Sequence, residues 1–154
     1  MTRLLQVQDF LRQKRLAVVG VSHNPKDFTR ALYQELQRRD YDVVPVNPGV
    51  EEIAGQRCYA RVCDIDPPVD GALIMTKAAV AERVVRECHE AGIRKIWLYR
   101  ATGAGAVDPA AVRFCLANGI SVVAGECPFM FLPESAWIHR AHGFCKKVVG
   151  SYPG

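Results

Sequence analysis

From Leu16 to Ala124 the chain alternates short, continuously apolar runs with segments whose apolar residues recur at helical spacing. Such alternation with short links constrains the fold strongly, because strands buried on both faces need helices on both sides of one parallel sheet. The predicted strands are Leu16–Val21, Tyr41–Val46, Gly71–Met75, Lys95–Tyr99 and Ser121–Ala124. Between them run helical stripes: Phe28, Leu32 and Leu36 behind an Asp27 cap, then Val80, Val84, Cys88 and Ala91 behind Thr76, with Gly92 as the stop. Asp108-Pro109 opens a further helix, which ends at Asn118-Gly119.

The flanks follow other patterns. Leu4, Val7, Phe10 and Leu11 predict an opening amphipathic helix, and a polar stretch from Asn47 to Pro68 is expected to hold one helical turn and an extended piece near Cys58-Tyr59. Beyond Gly125 an apolar stretch is bracketed by Pro128 and Pro133, and a closing helix is expected over about 134–150. At 154 residues and 49% hydrophobic content, residues 1–154 are read as a single domain. The class is α/β: a doubly wound, mainly parallel five-stranded sheet with helices on both faces.

Composition narrows the setting. No apolar run reaches the roughly 18 residues that span a bilayer, and the start resembles no signal peptide, so no membrane partner and a cytoplasmic location are expected. Cys58, Cys63, Cys88, Cys115, Cys127 and Cys145 include no C-x-x-C pair and are read as reduced, mostly buried thiols. A net charge of +4, scattered rather than striped, suits a small polyanionic ligand and not a nucleic-acid surface. No protein partner is specified.

In an open parallel sheet, ligands bind beyond the carboxyl ends of the strands. Those ends hold Gly20-Val21-Ser22, Asn47-Pro48, Thr76-Lys77, Arg100-Ala101-Thr102-Gly103 and Gly125-Glu126-Cys127. The first loop lacks a complete G-x-G-x-x-G, but Ser22 offers a hydroxyl, and Lys26 and Arg30 bring charge to a helix N-terminus. A protein that grips the ribose of NAD usually ends its second strand in Asp or Glu, and here Asn47-Pro48 takes that place.

These residues carry a resemblance. Gly20-Val21-Ser22 with Pro25-Lys26, Pro45-Val46-Asn47-Pro48 followed by Glu52-Ile53-Ala54-Gly55, and the glycine-bearing loop after the fourth strand resemble small stand-alone CoA-binding proteins. That family is related to the CoA-binding domain of succinyl-CoA ligase α subunits, and the likeness covers about Val18 to Cys127. It implies a Rossmann-like domain with coenzyme A or an acyl-CoA across the strand ends. Gly20, Val21, Ser22 and Lys26 would meet the phosphates, Asn47 and Pro48 would shape the floor near the adenosine, Thr76 and Lys77 would border nucleotide and pantetheine, and Thr102 and Gly103 would flank the linker.

The expectation is a binding module, a sensor, carrier or regulatory unit without catalysis of its own. The rival is an NAD(P)-binding oxidoreductase or redox sensor on the same fold. His139, His142 and Cys145, with Cys127 upstream, have spacing that a zinc ion could use, though three-residue steps drift around a helix and a packed helix is the reading preferred. Glu126-Cys127 resembles a reactive pair, but a neighbouring carboxylate disfavours the thiolate, and a buried cysteine closing the pocket is expected.

Overall fold

The computed structural model describes residues 3–100 and 105–132. Its principal sheet is built from β1 (Arg15–Val19), β2 (Asp42–Val46), β5 (Gly71–Ile74), β6 (Lys95–Leu98) and β7 (Ser121–Ala124), all parallel, in the order β2-β1-β5-β6-β7. A two-stranded antiparallel ribbon, β3 (Glu52–Ile53) and β4 (Gln56–Arg57), follows β2. The helices are α1 (Arg3–Leu11), α2 (Phe28–Arg38), α3 (Ala78–Glu90) and α4 (Pro109–Ala117), with short 3-10 turns at Val62–Asp64 and Pro128–Met130.

Strand alternation sorts the core into two layers. Ala17, Val19, Val44 and Val46 join Ile74 and Leu98 under α3 and α4. Their neighbours Leu16, Val18, Val43, Leu73, Trp97 and Val123 face the layer that holds α1 and α2. Trp97 is fully buried; its indole donates to the Glu126 carbonyl at 2.8 Å, and its ring meets Phe10 edge-on at 5.4 Å. The doubly wound, Rossmann-like sheet expected from the alternation is therefore the observed one, with helices on both faces.

Several local expectations need correction. Strand β1 ends at Val19, two residues early, because Gly20 turns the chain at φ +96°. Thr76 does not cap α3: the N-cap is Lys77, and the Thr76 hydroxyl, one residue too early, donates to the Lys77 carbonyl at 3.2 Å. Asp27 does cap α2, accepting from the Thr29 N–H at 2.8 Å. The ribbon of β3 and β4 was not anticipated. Its turn places Ala54 at φ +51° and Gly55 at φ +81°, a primed-type turn without the usual Asn or Asp. Among the described cysteines Cys58, Cys88, Cys115 and Cys127 are buried, but Cys63 is exposed.

Among the described residues no helix is long and apolar enough to cross a membrane, and no group of three His, Cys, Asp or Glu side chains is placed to hold a metal ion. The expected helix over 134–150, with His139, His142 and Cys145, lies outside the described residues, as do Thr102 and Gly103.

Candidate functional site

Strand β1 lies between β2 and β5, so successive crossovers leave it in opposite directions and a crevice opens past its carboxyl end. A cleft of about 510 Å³ occupies that crevice. Its floor is made by the strand ends: Gly20 after β1, Asn47 and Pro48 after β2, and Thr76 after β5. One wall is the opening of α3, where Val80, Arg83, Val84 and Glu87 recur at i, i+3, i+4 and i+7 and so share a face. The other is Ala60-Arg61, just before the 3-10 turn.

The floor is tightly built. Gly20 donates its N–H to the Val46 carbonyl at 2.8 Å, tying β1 to β2. A Cβ at Gly20 would stand 3.0 Å from the Met75 carbonyl oxygen, so this glycine is required by the close approach of two backbones as well as by its φ. The Asn47 side chain donates to the Val21 carbonyl at 2.9 Å and accepts from the Gly49 N–H at 2.9 Å. Its main chain is also engaged, donating to the Tyr59 carbonyl at 2.9 Å. Asn47 is thus a clip between the loops after β1 and β2, and no carboxylate stands at that strand end.

The loop that enters α2 consumes its own donors. The Ser22 N–H is held by Thr29 Oγ1 at 2.9 Å, that of Asn24 by Ser22 Oγ at 3.0 Å, and that of Lys26 by Asn24 Oδ1 at 3.0 Å. Arg30, expected near a phosphate, is instead buried beneath the loop, where Nη1 donates to the His23 carbonyl at 3.1 Å and the Ser22 carbonyl at 3.5 Å. Val21 is fully buried in the α2-side core, while Lys26 and Lys77 are exposed. Of the residues singled out in the sequence, Gly20, Asn47, Pro48 and Thr76 line the cleft; Val21, Ser22, Lys26 and Lys77 are not among its lining residues.

Sequence reasoning missed Arg61, Arg83 and Glu87. Glu87 Oε1 lies 3.4 Å from Arg61 Nε, so the pair links the two walls. The signal was present in the spacing 80, 83, 84 and 87, which sets two charged residues beside the apolar stripe. Chemically, the lining side chains offer cations, a carboxylate, an amide and a hydroxyl. Burial pushes the Cys115 thiol up to about 11 and raises Cys58 and Cys88 as well. Cys127 and Glu126, the other candidate pair, are both buried under the sheet end.

Comparison with known proteins fits this geometry. The uncharacterized protein YneT of Bacillus subtilis is 27% identical over 116 residues, covering 75% of this chain and 83% of its own length. An ADP-forming acetate–CoA ligase of Methanocaldococcus jannaschii is 30% identical over 81 residues, which is 53% of this chain but 12% of the ligase. The solved structure of a hypothetical protein from Pyrococcus horikoshii OT3 superimposes with a TM-score of 0.76 at 26% identity, covering 83% of this chain and 87% of that one. The family model described as CoA binding domain matches residues 14–133, nearly the whole stretch that builds the sheet and its cleft. On that match, this chain belongs to the CoA binding domain family.

Proposed function

We propose that this protein binds coenzyme A or an acyl-CoA in the cleft beyond β1, β2 and β5, and that it holds the ligand without catalysing a reaction, as a sensor, carrier or regulatory module. The observation that carries this reading is the floor after β2. A dinucleotide site there would present a carboxylate to the ribose hydroxyls, whereas Asn47 spends its amide on Val21 and Gly49 and leaves Pro48 as an apolar shelf. Gly20, Asn47, Pro48 and Thr76 form the floor for the nucleotide half of the ligand. Ser22, Lys26 and Lys77 stand on the rim, and Val21 serves through its carbonyl; Thr102 and Gly103 are kept as neighbours of the linker.

The ligase similarity covers 12% of that enzyme, so its ligation chemistry is not carried over to this chain. Asn47, Arg61, Thr76, Arg83 and Glu87 are the polar lining, a set suited to holding an anionic ligand. The test is thermal melting with CoA, acetyl-CoA, NAD and NADPH side by side, joined to mass spectrometry of any ligand that co-purifies. A ligand that binds only the folded state stabilises it by about 2.7 kcal/mol at a hundredfold excess over Kd. Stabilisation by CoA or acetyl-CoA is expected; stabilisation by NADPH with none by CoA overturns the assignment.

A further inference from the structure

The N-terminus of α2, where a Rossmann-like domain would ordinarily receive a phosphate, already holds an anion of its own. The Asp27 carboxylate accepts from the Thr29 N–H at 2.8 Å and from the Thr29 hydroxyl at 2.7 Å. It thereby occupies the positive end of the helix dipole, and an incoming phosphate there would meet a like charge. The preceding loop gives little help, since the N–H groups of Ser22, Asn24, Lys26 and Asp27 are all bonded within the loop and the first turn of α2.

The cleft wall on the α3 face has the opposite character. Arg83 lines the cleft, is exposed, and its side chain makes no hydrogen bond or ion pair among the described residues. Arg61 lines the facing wall, and its one salt bridge among the described residues is to Glu87 at 3.4 Å. That separation is longer than a good charge-assisted hydrogen bond, so the contact is one that a better-fitting anion can replace. Two guanidinium groups, each able to present a planar fork of donors, thus flank a floor whose backbone N–H groups at Gly20 and Asn47 are already bonded.

We propose that Arg61 and Arg83 read the phosphates of the ligand, and that Glu87 is the carboxylate with which those phosphates compete for Arg61. This rests on the cleft being the coenzyme A site, and it moves phosphate recognition from the α2 loop to the two walls of the cleft. Glu87 then acts as a selectivity element: it disfavours weakly charged ligands from displacing it and lowers the affinity for all anionic ones.

Isothermal titration of the full chain with CoA, dephospho-CoA and pantetheine tests the proposal, because the three share the pantetheine arm and differ in phosphate. Arg83→Gln should weaken CoA roughly tenfold and Arg61→Gln several-fold, with pantetheine unchanged and the salt dependence reduced. Glu87→Gln should tighten CoA by about two- to fivefold, since it frees Arg61 and removes a like charge. A tightening cannot arise from damaged folding. If wild type binds CoA while both arginine variants match it and Glu87→Gln is neutral, the proposal falls and the CoA assignment survives. If wild type binds none of the three, the assignment beneath it falls too.

Discussion

The loop that enters α2 and the cleft walls at α3 and Arg61 are built on opposite plans. The loop from Gly20 to Asp27 is a closed network in which Thr29, Ser22 and Asn24 side chains satisfy backbone N–H groups and Arg30 fastens the Ser22 and His23 carbonyls from below. The walls on α3 and at Arg61 are open: the Arg83 side chain is unpaired among the described residues, and Arg61 is held by a loose contact to Glu87. The difference teaches that a polar loop at a strand end can be a strut. Donors already bonded are not available to a ligand, since each would have to give up a hydrogen bond worth about 1 kcal/mol net.

The largest effect should come from breaking the strut where it meets the sheet. Gly20→Val forces a branched side chain into φ +96° and against the Met75 backbone at 3.0 Å. Strain at such a φ and overpacking together should cost about 2–5 kcal/mol, read by urea or thermal unfolding. CoA binding is expected to fall with stability, so this variant reports the β1–β5 junction and not phosphate contact. A variant as stable as wild type would show that the two strand ends are not packed as described.

Asn47→Asp comes next, and it probes the clip between the loops after β1 and β2. Asp cannot donate to the Val21 carbonyl, so the 2.9 Å hydrogen bond is replaced by two acceptors facing each other, at a cost of about 1–3 kcal/mol in stability. The new carboxylate also repels the ligand phosphates, and CoA affinity should drop about tenfold. The measurement is paired titration with CoA and NAD. Tighter NAD binding by the Asp variant, together with unchanged stability, would mean that the ribose and not Val21 is the natural partner of this side chain.

The same contrast explains what the sequence could and could not disclose. The sheet was legible because Ala17 to Val19, Val43 to Val46 and Ala72 to Ile74 are continuous apolar runs, and only strands buried on both faces need them. The β3–β4 ribbon was not, because its turn is Ala54-Gly55 and carries no Asn or Asp to announce two positive φ values. At the site, Gly20, Asn47, Pro48 and Thr76 were found through the rule that ligands gather at strand ends. Arg83 and Glu87 were missed because a helical stripe does not say where the sheet beneath it stops. Strand β5 ends at Ile74, and Val80 and Val84 help line the cleft. Arg30 reads in the sequence as a cation for a phosphate, yet its side chain reaches back to the His23 carbonyl and is buried by the fold.

The smallest effect is expected at Lys26, and it sharpens the comparison most directly. Lys26 is exposed on the strut, its N–H is bonded to Asn24, and its ammonium has no partner among the described residues. An exposed cation of this kind acts through screened, long-range attraction, for which about 0.2–1 kcal/mol is typical of surface charge pairs. Lys26→Ala should therefore weaken CoA by no more than a few fold, leave pantetheine unchanged, and lose its effect as salt rises and the Debye length falls to about 3 Å at 1 M. Titration at low and high salt, run beside Arg83→Gln, places the loop and the wall on one scale. Should Lys26→Ala cost more than Arg83→Gln at both salts, the ligand phosphates are bound on the α2 side, and the division between a closed strut and an open, anion-reading wall is reversed.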